Sequence, residues 1–265
     1  MALIIMPVPL AALTSEREAH FARLAEGPDL YLELLLQTGT AYRIGWDNRP
    51  AGYCLLSGDA RMAELDLPRD AWSAKAELFA ALVERLEVRG ARCFSFDPLL
   101  LGLCIERGWT ASVEGALFRD LLDELPPVQR DDLRLRPATT ADLEQVLPHR
   151  AGVFESEDEC RACVAAGRVS VLERDGAFLG VGLLTRIWAS RPEHDLGVMV
   201  HPDHRGRGYA SHVLRALKRR CLDLDLRPVA GCHAENLASA RALHRAGFAS
   251  QHALFKLCPA GHRGS

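Results

Sequence analysis

The stretch Val198-Met-Val-His-Pro-Asp-His-Arg-Gly-Arg-Gly-Tyr-Ala210 limits the fold of this chain more than any other. An apolar run ends at Pro202, a basic turn holding Gly206 and Gly208 follows, and a helical pattern runs from Gly208 to about Leu222. A strand that feeds a helix through so tight a turn belongs to a layered α/β unit. The turn also has a chemical consequence. Glycines let the backbone bend sharply and leave its N–H groups bare. A helix start adds unpaired donors and positive potential. Ala210 keeps the first turn narrow, and Arg205 and Arg207 add full charges. The combination predicts a seat for a phosphate or diphosphate. It is not a P-loop, because the Lys-Ser/Thr ending is missing. Its glycine spacing also disfavours a nucleotide-cofactor oxidoreductase.

Around this feature the chain reads as one α/β unit written twice. In the first half, helices are expected from a capping box at Ser15 to about Ala25, over Leu30–Gln37, Ser73–Leu86 and Leu99–Arg107. Strands are expected over 41–46, 51–56, 61–67, 91–96 and 111–121. A polar, proline-bearing stretch from Asp123 to Asp132 reads as a linker. In the second half, a capping box at Thr139–Asp142 opens a helix, 154–166 is mostly helical, and a hairpin turns at Asp175-Gly176. Strands at 196–200, 228–233 and 253–257 alternate with helices at 208–222 and 239–246. The repeat is concrete. Asp47 with Gly52-Tyr-Cys-Leu-Leu56 matches Asp175 with Gly180-Val-Gly-Leu-Leu184, and Arg107-Gly-Trp109 matches Ala246-Gly-Phe248. The expected domains are residues 1–125 and 132–265.

Composition narrows the class. The 265 residues, 48% hydrophobic with a net charge of -3, exclude a disordered chain and argue against a dedicated nucleic-acid binder. No apolar run is long enough to span a bilayer, so no membrane partner is expected. Met1–Leu13 lacks a basic start and is broken by Pro7 and Pro9, which argues against a signal peptide. Eight scattered cysteines suit reduced thiols and a cytoplasmic protein. Cys160 and Cys163 form a lone CxxC, which reads as two small side chains on one side of a helix; no metal is expected.

With these residues in view, the second half resembles a Gcn5-related N-acetyltransferase (GNAT) domain. That family's acyl-CoA loop, Arg/Gln-x-x-Gly-x-Gly/Ala, is matched by Arg205-x-x-Gly208-x-Ala210. Val198-x-Val200-x-Pro202 matches the strand that holds the pantetheine arm, and Leu135–Thr139 and Asn236 to Gly247-Phe248 also fit. The resemblance covers about residues 132–258. The first half resembles the same fold without the loop; Leu67-Pro-Arg-Asp-Ala-Trp-Ser-Ala74 stands there, with no glycine and a bulky Trp72. The implied architecture is an α/β (α+β) tandem of two GNAT-like domains, each a mixed sheet flanked by helices, the first copy degenerate.

What the resemblance implies is an N-acetyltransferase that moves an acetyl group from acetyl-CoA to a primary amine by direct attack. The implied cofactor-binding residues are Val198, Met199, Val200, Arg205, Gly206, Arg207, Gly208, Tyr209, Ala210, Asn236 and Ser239; taken alone, Asn236 reads as a helix cap. An attacking ammonium must first lose a proton. Asp195 is the first choice of base, with Glu193 and His194 beside it. Many members use a tyrosine on the helix before Gly-Phe to protonate the leaving thiolate. Here Leu243 occupies that position, which leaves His244, Cys232, His233 or water as the donor, or CoA departing as the thiolate. Glu155, Glu157, Asp158 and Glu159 read either as a cation-attracting rim or as a solvated helix face. Trp188 and Phe154 read as an acceptor wall or as core. Two other readings stay open: an acyl-CoA sensor without turnover, and an acyltransferase with another donor or acceptor. The acceptor is an amine-bearing small molecule or a protein or peptide amine, and the chain a monomer or homodimer.

Overall fold

The computed structural model describes residues 3–122, 130–150, 153–154 and 156–260. In chain order the elements are β1 (Leu3–Val8), α1 (Thr14–Phe21), α2 (Leu30–Leu36), β2 (Thr40–Trp46), β3 (Arg49–Leu56), β4 (Arg61–Asp66), α3 (Lys75–Arg85), β5 (Gly90–Phe94), α4 (Pro98–Glu106) and β6 (Thr110–Phe118). There follow β7 (Asp120–Leu121), β8 (Arg134–Pro137), α5 (Leu143–Val146), α6 (Glu157–Ala165), β9 (Val169–Arg174), β10 (Ala177–Arg186), β11 (Glu193–Val200), α7 (Tyr209–Asp223), β12 (Arg227–His233), α8 (Leu237–Arg245), β13 (Phe248–Ala249) and β14 (His252–Cys258). Part of the linker segment, 123–129, lies outside the described residues.

The chain folds as two compact units, but they are not contiguous. Unit 1 takes the residues up to Ala116 and those from His252 onward, and unit 2 takes Leu117–Gln251. This corrects the boundaries 1–125 and 132–265: the last strand of the chain belongs to the first unit. The physical reason is β5. It is buried along its whole length and needs a partner on each edge. β14 fills the second edge, antiparallel, with Leu254 opposite Phe94 and Leu257 opposite Ala91. Unit 1 therefore orders its strands β1-β2-β3-β4-β5-β14-β6, and unit 2 orders its own β12-β11-β10-β9-β8.

The two units repeat one another in detail. Asp47-Asn48 and Asp175-Gly176 both turn their hairpins with positive φ at both central residues. Gly52 and Gly180 sit where a Cβ would strike a neighbouring-strand carbonyl, Asp66 O at 1.9 Å and Met199 O at 2.3 Å. Gly108 and Gly247 each end a helix with φ near the left-handed range, 76° and 80°. In both, one parallel pairing is cut short. β4 pairs with β5 only at Arg61 and Met62, and β11 with β12 only at Glu193, His194 and Asp195.

Three local expectations change. The apolar start forms β1, an edge strand paired with β2, where Pro7 is tolerated because one side of the strand carries no ladder. Ser15 caps nothing: a 3-10 turn at Leu10–Leu13 runs into α1, and Thr14 Oγ donates to Ala11 O. The box at Thr139–Asp142 forms, but Pro148 keeps the helix behind it short.

The helix side of unit 1 that carries α1 and α2 buries charge. Arg17 binds Glu64 through two nitrogens and Glu33 through Nη2 at 2.6 Å, and Tyr53 donates to Glu64 at 3.2 Å. Arg17 and Glu64 are 5% and 1% exposed, so neither charge is solvated. Removing one partner of such a pair leaves the other stranded. Arg17→Ala is expected to cost about 3–5 kcal/mol, read as a lower urea midpoint. His20 lies 3.4 Å from Asp66 and 4.0 Å from Asp97. Burial lowers its affinity for a proton, but the carboxylates outweigh burial and raise its pKa above 6.5. The sign follows: its contribution to stability is complete below 6.5 and is lost as pH rises through the raised value.

Candidate active site

The turn between β11 and α7 is built as an open cradle. His201 donates its backbone N–H to Leu179 O, and Pro202–His204 form one 3-10 turn. Arg205 leaves it in extended conformation and folds its Nε back onto Val200 O at 3.3 Å. Gly206 and Gly208 have φ of 75° and 81°, and a Cβ built on either meets nothing within 4 Å. Gly208 is the N-cap of α7 and offers no side chain to its first-turn N–H groups. Ser211 Oγ donates back to Gly208 O at 2.9 Å. The first-turn donors therefore look out on free space, with Arg205, Arg207 and Gly208 exposed around them. Tyr209 is 2% exposed, with the Arg130 guanidinium 5.3 Å over its ring. Its side chain is packing; only its N–H faces the turn. Ala210 is half-buried in the next position.

Beside the cradle the sheet opens. β11 and β12 stop pairing at Asp195 and Val229, although β11 continues to Val200 and β12 to His233. Beyond that point no ladder joins the two strands, so backbone groups of Leu196–Val200 and Ala230–His233 face an unpaired slot in the sheet. Antiparallel pairing with β10 holds the other edge of β11, with Val198 opposite Gly182 and Val200 opposite Gly180. A Cβ on Gly182 would lie 2.6 Å from Val213 Cγ1, so this glycine lets α7 approach the sheet closely. Val198 shares that face. Met199 points the other way, into an apolar cluster with Phe154, Cys163 and Val181. Its part in the slot is played by backbone.

The base candidates differ sharply in surroundings. Glu193 is 2% exposed and bound through both oxygens by Arg191, at 2.9 and 3.1 Å, with Arg227 at 3.8 Å. Burial would raise its pKa, but these arginines outweigh it and hold the carboxyl below its usual range. It is a structural anion. His194 is half-buried, with Nδ1 3.0 Å from Pro192 O. Asp195 is half-buried and sits on β11 where the pairing with β12 ends, opposite Thr185 of β10.

Across the slot, Asn236 Oδ1 accepts the Ser239 N–H at 3.0 Å and caps α8. Cys232 contacts Ser239, and burial pushes its thiol up despite that hydrogen bond. Leu243 is 2% exposed. His244 stands on the exposed side of α8, with Nδ1 3.2 Å from Phe248 O and its ring edge-on to Phe118 at 5.1 Å. Asp195 to Ala210 thus run along β11 into the turn, Asn236 and Ser239 stand at the start of α8 just past β12, Glu193 is held by arginines, and His244 lies on the exposed side of α8.

The acidic run is helix chemistry. Ser156 caps α6, Glu157, Asp158 and Glu159 fill its first turn, and Arg150 and Arg161 engage Glu157. Glu155 lies outside the described residues. Phe154, Cys160 and Cys163 are core, and all eight cysteines are free thiols. In unit 1 no cradle exists at the matching place. A 3-10 turn at Arg69–Ala74 runs straight into α3, Lys75 N–H bonds Trp72 O, and Trp72 Nε1 donates to Leu67 O at 3.0 Å. The sequence reading missed Gly182, although a glycine within a strand signals close approach. It also missed the grouping of His149, His201 and His204, which long-range contacts alone create.

Residues 10–121 match a family model described as an acetyltransferase (GNAT) domain, and residues 129–248 match that of the acetyltransferase (GNAT) family. No curated protein matches the chain. Among solved structures, an acetyltransferase from the GNAT family of Colwellia psychrerythraea is 18% identical, covering 96% of this chain and 99% of its own, with a TM-score of 0.84. A GCN5-related N-acetyltransferase from Sphaerobacter thermophilus is 15% identical over 96% and 95%, with a TM-score of 0.62. A tandem GNAT protein from the clavulanic acid biosynthesis pathway is 14% identical over 98% and 99%, with a TM-score of 0.61. At these identities the likeness is one of fold.

Proposed function

Because the chain belongs to the GNAT superfamily of acyl-CoA-dependent acyltransferases and carries two such domains in tandem, we propose that its second unit moves an acetyl group from acetyl-CoA to a primary amine. The observation that carries this reading is the open cradle at Gly206–Ala210 next to the slot between β11 and β12. The cosubstrate supplies the acyl group as an activated thioester. The N–H groups of Gly206 to Ser211 hold its diphosphate, with Arg205 and Arg207 as counter-charges. The free backbone edge of Val198–Val200 takes the amides of the pantetheine arm and fixes the thioester at the mouth of the slot.

Asp195 accepts the proton that the acceptor ammonium must lose before its nitrogen attacks. It is preferred to Glu193, whose two oxygens are bound by Arg191 beside Arg227, and to His194 because it stands where the β11–β12 pairing ends. Asp195→Asn is expected to lower kcat/KM at least about 10-fold near pH 7, the deficit shrinking toward pH 9 as free amine becomes available. Steady-state rates across that range are the check, and an unchanged pH profile removes Asp195 from the mechanism.

A second reading has one observation in its favour. Leu243 puts an apolar, buried side chain where many relatives place a proton donor. A protein that senses acyl-CoA without turnover needs no donor. Free CoA thiol released in the presence of a panel of amines favours the enzyme; binding without release across the panel favours the sensor.

A further inference from the structure

Three histidines from two parts of unit 2 meet at the corner that leads into the cradle. His149 and His201 lie edge to face with ring centroids 4.3 Å apart, and His204 is 5.4 Å from His201. Phe178 of β10 packs 6.3 Å from both His149 and His201. His201 Nδ1 accepts the Asp203 N–H at 3.3 Å, so its neutral form carries the proton on Nε2. His204 Nδ1 is buried and has no hydrogen-bond partner among the described residues. His204 is covalently next to Arg205, whose Nε bonds Val200 O, the carbonyl just before His201. The cluster and the phosphate cradle therefore share one turn. Among the described residues no group of three or more His, Cys, Asp or Glu is arranged to hold an ion.

The charges facing the cluster decide its behaviour. Asp203 lies 3.9 Å from His201 Nδ1. Arg150 follows His149 and is engaged by Glu157 at 3.6 Å and Leu147 O at 3.0 Å. Glu173, opposite Phe178 on β9, is held by Arg136 at 2.9 Å. Arg205 and Arg207 follow in the turn and are exposed. They make the local field of this turn positive. A diphosphate on the same turn reverses the sign of the local field.

We propose that His149, His201 and His204 form a proton-linked extension of the diphosphate seat, which takes up a proton from solvent as the cofactor binds. The inference rests on the cradle being that seat. By linkage, mild acid then tightens binding, and binding raises the proton affinity of the cluster.

The test is calorimetric titration of the full chain with dephospho-CoA, whose diphosphate stays ionised and which lacks the titrating 3′-phosphate. The expected result is a binding heat at pH 7 that varies with the ionisation enthalpy of the buffer in the sense of proton uptake. The Kd is expected to tighten about 3- to 10-fold from pH 8 to pH 6, short of the 100-fold that one fully linked proton gives. His201→Gln and His204→Gln should flatten that dependence. A Kd independent of pH with no proton uptake in the native chain, or a dependence that survives in both variants, overturns the inference and leaves the seat intact. Absence of binding at every pH overturns the seat itself and the inference with it.

Discussion

Gly208→Val is expected to weaken acyl-CoA binding at least about 100-fold, a loss of about 2.7 kcal/mol. Two effects act together. Gly208 has φ of 81°, which a β-branched residue adopts only at a cost of about 1–3 kcal/mol. If the turn relaxes to relieve that strain, the first N–H groups of α7 turn away from the cradle. If it does not, the new side chain fills the space that now lies open beside Gly208. Backbone strain alone is separated from loss of the seat by Gly176→Val. Gly176 has a comparable φ of 80°, open surroundings and a place in the β9–β10 turn. That variant should lose similar stability and bind acetyl-CoA as the native chain does. Equal affinities for the native chain and the Gly208 variant would put the seat elsewhere.

Truncation after Gln251 is expected to unfold unit 1, although every deleted residue lies at the far end of the sequence. β14 contributes Leu254 and Leu257, 2% and 0% exposed, to the core of that unit. It also closes the second edge of β5, and Arg61, Thr110 and Ser112 bond its carbonyls. Each buried leucine is worth about 2–5 kcal/mol, so their loss together with the strand pairing reaches the whole stability of a typical domain, about 5–15 kcal/mol. Hydrogen exchange read by mass spectrometry should show protection lost across β3 to β5 and largely retained across β9 to β11. Retained protection in β5 would mean that unit 1 does not depend on the exchanged strand. For the same reason, a fragment ending near residue 125 is expected not to fold alone.

Local chemistry made much of this legible from sequence. Asp47-Asn48 and Asp175-Gly176 turn as such pairs must, and Gly108 and Gly247 end their helices in left-handed conformation. Gly206 and Gly208 adopt the positive φ that the phosphate-seat reading required. What stayed hidden depends on distant partners. Nothing local in His252–Cys258 says that it pairs with a strand some 160 positions earlier. Glu193 reads as a possible base until Arg191 and Arg227 are seen to hold it. Leu3–Val8 reads as a short apolar start with no assigned element until β2 pairs with it, and Ser15 loses its capping role to a preceding 3-10 turn. The histidine corner needs two short 3-10 turns, Leu147–His149 and Pro202–His204, brought together before any of its members means more than a lone polar residue.

The central claim is that one unit of this tandem seats acyl-CoA and the other does not. The most direct test is calorimetric titration of the intact chain with acetyl-CoA, counting sites. One site per chain is the expected result, because Gly206 and Gly208 open a cradle ahead of α7 while the turn at Arg69–Ala74 closes the matching end of α3. Two sites would mean that unit 1 binds the cofactor through a surface other than a glycine cradle. No binding by a chain shown to be folded would contradict the claim outright.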